Sequence, residues 1–161
     1  MNPKIYKDQV FQIIGAAMAV HRNLGEGLLE PIYNEALVME LDDRGIKGEP
    51  EKYLPCYYKS RLMQKTYRMD IVLDDIIVEL KSVQKLISAH RAQLFNYLRL
   101  TRKPIGLLIN FGTESLQSER YAYNEATNTC YLLDRHMESI PQNDDGNDKW
   151  YEDPYADIKN N

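Results

Sequence analysis

The sequence predicts an α/β fold: a mixed central β-sheet of about four or five strands with helices on both faces. Three observations carry that expectation. In Arg68–Lys81, two runs of β-branched and aliphatic residues flank Asp74-Asp75, the pattern of a β-hairpin with a two-residue turn. The run from Ile105 to Phe111 is apolar on both parities, as a strand covered on both sides must be. Between them lies a segment of helical period, which is the kind of crossover that joins two parallel strands.

In chain order, residues from about Ile5 to Leu24 read as a helix. Ile5, Val10, Ile13, Ile14, Ala17, Met18 and His21 lie on or beside one stripe, and Gly25 and Gly27 then break the chain. His21 reads as a helix-end or core-edge histidine. A second helix runs from Leu29 to Arg44, with Pro31 in its first turn, Gly45 as its stop and Ile32, Ala36, Leu37 and Leu41 as its buried stripe. Glu30 and Tyr33 share a face near its start, although a first-turn Glu also complements the helix dipole on its own. Strand signals follow from Tyr53 to Tyr58 and from Leu62 to Leu73, joined by a Lys59-Ser60 turn, with Tyr57 and Tyr58 as strand-packing aromatics. Ser82 to Ile87 is a connector.

Ser88 is placed as the N-cap of a third helix over Ala89 to Thr101. Ala92, Phe95 and Leu98 form its packing stripe, while His90, Gln93 and Tyr97 form a separate polar ridge. Arg91 and Arg99 supply the charge of an exposed face. Arg120 to Tyr123 and Thr129 to Leu133 suggest a weak hairpin across Glu125–Asn128. The expected organisation is one domain over residues 1–135, followed by an acidic, poorly ordered tail over 136–161. Trp150, Tyr151 and Tyr155 are its docking candidates.

The whole-chain numbers narrow the classes. With 161 residues, 43% hydrophobic and 27% charged, the chain can bury one core of ordinary globular composition. No apolar run reaches membrane-spanning length, and the N-terminus shows no short apolar core with a small-residue cleavage site. Cys56 and Cys130 are too few for a disulfide framework and have no CxxC spacing. The expectation is a cytoplasmic protein without a membrane partner. The net charge of −4 hides an asymmetry: Lys59–Lys103 holds ten Lys/Arg against four Asp/Glu. A basic middle on an acidic chain suits nucleic acid or phosphate, with Arg68, Lys85, Arg91 and Arg99 as candidate contacts. It also suits a set of merely solvated faces.

The chemistry concentrates in the hairpin. A two-residue turn pairs Asp70 with Glu79, and Lys81 points to the same face as Glu79. Two negative charges about 4 Å apart repel by roughly 4 kcal/mol at an effective dielectric of about 20. A divalent cation removes that penalty, and hard oxygen ligands at this spacing suit Mg²⁺ or Mn²⁺. A solvated hairpin face with Lys81 bridging the acids is the plainer alternative.

Taken together, the segments resemble the GxxExxY family, a branch of the PD-(D/E)XK nuclease superfamily. Its naming motif stands here as Gly27-Leu28-Leu29-Glu30-Pro31-Ile32-Tyr33, and the superfamily core as Asp70 followed by Glu79-Leu80-Lys81. The later helix carries Gln93 and Tyr97, and Ile109-Asn110-Phe111-Gly112 closes a likeness that covers roughly residues 5 to 112. Met69 stands where the superfamily name has proline.

The resemblance implies a restriction-endonuclease-like core and metal-assisted phosphodiester hydrolysis. It implies that Asp70, Glu79, the Leu80 carbonyl and Glu30 ligate Mg²⁺ or Mn²⁺, with Glu30 as a ligand or outer acceptor. Lys81 then orients or helps deprotonate the attacking water, and Gln93 and Tyr97 position water, metal or phosphate. Tyr33, Arg68, Lys85, His90, Arg91 and Tyr97 are the expected substrate contacts. The expected function is a metal-dependent nuclease or nuclease-like protein, on DNA rather than RNA. The rivals are a non-catalytic nucleic-acid-binding or regulatory module on the same fold, and a structural domain.

Overall fold

The computed structural model describes residues 1–141. A short 3₁₀ turn, Pro3–Tyr6, leads into α1 (Lys7–Leu24) and α2 (Glu30–Asp43). The strands are β1 (Glu49–Tyr58), β2 (Arg61–Leu73), β3 (Ile76–Lys81), β4 (Ile105–Asn110), β5 (Gln117–Asn124) and β6 (Thr129–Leu133), with α3 (Ser88–Thr101) between β3 and β4. All six strands form one sheet in chain order, and only β3 and β4 run parallel. The α3 crossover requires that exception, because a short turn can join only antiparallel neighbours. The α/β expectation holds, with six strands instead of four or five.

Alternation along the strands divides the core in two. Ile71, Leu73, Ile76, Val78, Leu80, Ile105, Leu107 and Ile109 pack with α1 and α2 on one face. Val72, Ile77 and Leu108 pack with Leu94, Phe95 and Leu98 of α3 on the other. Every residue of β4 is buried, as its double-parity apolar run predicts. The helical stripes are shifted from expectation. Ile5, Met18 and Ile32 are exposed, while Tyr33 and Asn34 are buried beside Leu37 and Leu41.

Both tight turns follow their chemistry. Lys59 and Ser60 adopt φ of 46° and 66°, the paired left-handed geometry that matches strand twist. At the second turn Asp74 takes φ 25°, the Tyr6 hydroxyl donates to Asp75 Oδ2 at 2.8 Å, and the Lys103 ammonium donates to the Asp74 carbonyl. α3 begins one residue earlier than expected. Ile87, not Ser88, is its N-cap, and the His90 ring accepts the Ile87 N–H at 3.1 Å through Nδ1. His21 lies at the core edge with its Nε2 at 2.9 Å from the Thr113 carbonyl.

After β6, Ser139 bridges back to Leu133 and Met137 is buried in the first core, beyond the boundary expected at residue 135. The remainder of the acidic tail, with Trp150, Tyr151 and Tyr155, lies outside the described residues. Among the described residues no helix is long and apolar enough to cross a membrane.

One buried ion pair seats α3 on the sheet. Arg91 donates Nε and Nη2 to the two oxygens of Glu119 on β5, each at 2.8 Å, and the Tyr121 hydroxyl donates to Glu119 Oε1 at 2.7 Å. Arg91 and Glu119 are 1% and 3% exposed. Removing one partner leaves the other charge buried, which costs about 3–5 kcal/mol, while replacing both by apolar residues costs far less. Glu119→Leu should therefore lower unfolding free energy by about that amount in urea denaturation. Adding Arg91→Met should recover most of the loss; a double variant as weak as the single would refute this account of the pair.

Candidate functional site

The site lies where β2 and β3 stop pairing. The ladder runs Leu73↔Ile76, Val72↔Ile77 and Ile71↔Val78, in the register that the two-residue turn predicts. One step further, side chains replace ladder bonds. The Asp70 N–H donates to Glu79 Oε1 at 3.0 Å, and the Leu80 N–H donates to Asp70 Oδ2 at 2.8 Å. Each carboxylate thus occupies a backbone donor of the opposite strand. The two carboxyl groups also lie within hydrogen-bond reach of one another, and this side-chain contact helps to raise the Glu79 pKa.

Neighbouring elements fix both strands at this point. Asn34 of α2 donates Nδ2 to the Asp70 carbonyl at 3.1 Å. Past Lys81, the fully buried Asn110 clamps the connector. Its Oδ1 accepts the Val83 and Gly112 N–H groups at 3.0 Å each, and its Nδ2 donates to the Val83 carbonyl at 2.9 Å and to Gln117 Oε1 at 3.0 Å. A Cβ on Gly112 would come within 2.3 Å of the Val83 backbone, so only glycine fits there. Asn34 and Asn110 were not among the expected site residues. Both stand as an amide within an otherwise apolar stripe, and Asn110 also lies in the segment that closes the family likeness.

A polar relay crosses to α3. Lys81 Nζ donates to Gln93 Oε1 at 3.2 Å, Gln93 Nε2 donates to the Tyr97 hydroxyl at 3.0 Å, and that hydroxyl donates to the Arg68 carbonyl at 3.0 Å. Tyr97 is buried and burial raises its pKa, with the Glu79 charge acting the same way. It stays protonated and serves as a fixed donor. The relay binds Lys81, half-buried at the end of β3, to the start of the exposed part of β2.

Several expected substrate contacts belong elsewhere. Tyr33 is wholly buried, stacked on Phe111 with ring centres 4.4 Å apart. Its hydroxyl donates to the Gly25 carbonyl at 2.6 Å and accepts the Leu28 N–H at 3.0 Å, so it shapes the loop before α2 instead of offering a surface. Arg91 is spent on Glu119, and the Tyr97 hydroxyl on the relay. Arg68 and Lys85 are exposed, Arg68 with Glu51 at 3.6 Å. His90 is half-buried; burial, then the Lys81 and Arg91 charges, lower its pKa, so it is neutral and its Nδ1 is the acceptor for Ile87.

Glu30 opens α2, one turn before Asn34 on the same helical face. It makes no hydrogen bond to Asp70 or Glu79, because α2 meets the sheet edge through Asn34. Among the described residues no three His, Cys, Asp or Glu side chains gather into a metal-holding group. The immediate oxygen set is therefore the pair Asp70 and Glu79 with nearby backbone carbonyls. That set fits a hard divalent cation, which takes oxygen ligands and keeps several waters of its own.

Glu79 is 2% exposed, and its pKa lies well above 4.5. Burial is the main cause, the Asp70 charge is the next, and the Asp70 N–H and Lys81 ammonium oppose them. In the metal-free protein the folded chain therefore retains a proton that the unfolded chain releases. The stability from neutral Glu79 is complete below pH 4.5 and is lost as pH rises toward the folded value. Glu79→Gln keeps an acceptor for the Asp70 N–H and cannot ionise. It should raise metal-free stability near neutral pH and flatten the decline from acid, as read by chelator-treated melting across pH; an unaltered profile would show that Glu79 is ionised in the fold.

Comparison with known proteins bears on this constellation. No curated protein matches the chain. A solved structure, the crystal structure of SSO0001, aligns at 20% identity with a TM-score of 0.47. The alignment covers 61% of this chain and 52% of that one, so the chain spans about half the length of SSO0001. A family model described as the PD-(D/E)XK nuclease superfamily matches residues 7–121. That span runs from α1 into β5 and includes the split hairpin, Lys81 and the α3 relay. The chain belongs to the PD-(D/E)XK nuclease superfamily, whose nucleases generally use divalent metal ions.

Proposed function

We propose that this protein is a Mg²⁺- or Mn²⁺-dependent nuclease of the GxxExxY branch, hydrolysing phosphodiester bonds in DNA. The observation that carries the reading is the interlocked pair Asp70 and Glu79 with Lys81 tied to the same edge through Gln93. Asp70, Glu79 and the Leu80 carbonyl would hold the ion, and Glu30 would supply an outer carboxylate from α2. When bound, the ion lowers the pKa of a coordinated water and neutralises charge developing on the phosphate.

The chain's own groups do the positioning. The Lys81 ammonium, aimed by Gln93 Oε1, orients the attacking water and offsets charge on the pentacovalent phosphate. Tyr97 locks the Gln93 amide so that its oxygen faces Lys81. His90, neutral with its proton on Nε2, offers a donor beside the same edge. Arg68 and Lys85 provide exposed cations for flanking phosphates. A module that binds nucleic acid without cleaving it needs neither a buried acidic pair nor a lysine beside it, and a bare like-charge pair in a core is costly.

Two substitutions separate binding of the ion from hydrolysis. Asp70→Asn retains an acceptor for the Leu80 N–H, so the fold should survive while calorimetric titration of Mn²⁺ shows binding abolished; unchanged affinity would end the site assignment. Lys81→Met keeps the stem's packing and removes the ammonium. It should bind Mn²⁺ at least as well as the parent, and its single-turnover cleavage of labelled DNA should fall by roughly 10²-fold or more. A parent that binds DNA but cleaves neither DNA nor RNA would favour the binding-module reading.

A further inference from the structure

The β1–β2 hairpin is far longer than the core needs. Met69–Leu73 is buried apart from the half-buried Asp70, whereas all of Arg61–Arg68 is exposed. Most of β1 is exposed as well. Nine steps along β2 separate Asp70 from Arg61, so the ribbon reaches ~30 Å past the carboxylate pair. Tyr57 and Tyr58, expected as packing aromatics, are 63% and 57% exposed, and Tyr53 is 62% exposed. Between Lys52 and Arg68 the ribbon carries five Lys/Arg and no Asp or Glu. Lys52 and Arg68 pair with Glu49 and Glu51 at the base. Among the described residues Lys59, Arg61 and Lys65 have no carboxylate partner.

We propose that this ribbon is a binding arm for single-stranded nucleic acid, which stacks bases on Tyr53 and Tyr57 of one face, holds phosphates with Lys59, Arg61 and Lys65, and leads the strand to the Asp70–Glu79 pair. The inference deepens the nuclease reading and rests on it for the class of ligand. Exposed aromatic rings interleaved with cations that have no carboxylate partner are the elements of single-strand recognition, although Lys59 already lies over the Tyr58 ring at 5.5 Å. Cations alone would serve a duplex, but a duplex keeps its base faces stacked and gives the tyrosines nothing to cover. The arm's root is joined to the site. The Tyr67 ring meets Tyr97 edge-on at 5.8 Å, and the Tyr97 hydroxyl holds the Arg68 carbonyl.

A second copy of the chain is a poorer occupant. β1 is the edge strand, and it carries Pro50 and Pro55 with a register break between Pro55 and Tyr57. The two prolines lack N–H donors and the break interrupts the strand's regular course, both of which disfavour strand addition. Two such arms would also bring like charges together.

The test is fluorescence anisotropy of the full chain in chelator, with labelled oligothymidine and a duplex of equal length. The parent should prefer the single strand. Tyr53→Ala with Tyr57→Ala should weaken single-strand binding by roughly tenfold or more and leave the weaker duplex binding unchanged. Lys59→Glu with Arg61→Glu should weaken both and reduce the salt dependence. All four side chains are exposed, and melting curves check that the variants fold.

Four outcomes would overturn the inference: no binding by the parent, duplex preference, parental affinity in the tyrosine variant, or a parental dimer that the tyrosine substitutions dissociate. The cleavage assay keeps the two readings apart. Tyrosine-dependent binding without cleavage by the parent removes the nuclease assignment and supports the arm, whereas cleavage with tyrosine-independent binding removes the arm alone.

Discussion

Two acidic side chains held against one another at a buried edge constrain everything around them. Glu79 is almost sealed from water, and Asp70 is its neighbour across the strands. In the metal-free state that pairing is tolerable for two reasons. Each carboxylate receives one backbone N–H, which replaces a ladder bond, so the sheet loses no donor at this position. Burial and the Asp70 charge also raise the Glu79 pKa well above 4.5, so the pair escapes full repulsion over a wider pH range than two ordinary carboxylates would. In the proposed function Asp70 and Glu79 would hold a divalent ion, whose charge would offset the same repulsion.

A pair arranged in this way works only if both strands are fixed. Asn34 holds the Asp70 carbonyl, and Asn110 with Gly112 holds the chain leaving Lys81. The Arg91–Glu119 pair sets the depth at which α3 lies, and with it the position of Gln93 two residues on. A hydrophobic contact would stabilise α3 as well, but it tolerates sliding. A bidentate guanidinium–carboxylate bond has one geometry. The buried ion pair is therefore best understood as fixing register, since its net stabilisation is small.

Most of this fold was legible because its signals are local. Hairpin parity needs only the residues between Asp70 and Lys81, and the β4 run announces a doubly covered strand by itself. The misreadings share one cause. Helical spacing shows which residues share a face, but not which element that face meets. His90, Gln93 and Tyr97 read as a ridge, and Arg91 read as exposed charge, because Glu119 lies on a strand 28 positions further on. Tyr33 was expected as a substrate contact, yet its ring lies against Phe111 and its hydroxyl closes the glycine loop. The stretch Gly27–Tyr33 therefore encodes a turn and its lock.

The same limit explains why the ribbon was missed. Alternation marks Tyr53–Tyr58 and Leu62–Leu73 as strands, and nothing in a strand's own sequence tells whether a helix covers it. Here α3 covers Val72 and Met69 but leaves the β2 residues before Met69 exposed. The carboxylate pair falls at that boundary. Deeper in the sheet it would have no access to a substrate; further out it would have no burial to raise the Glu79 pKa. The end of helical cover on β2 thus decides where the site can be.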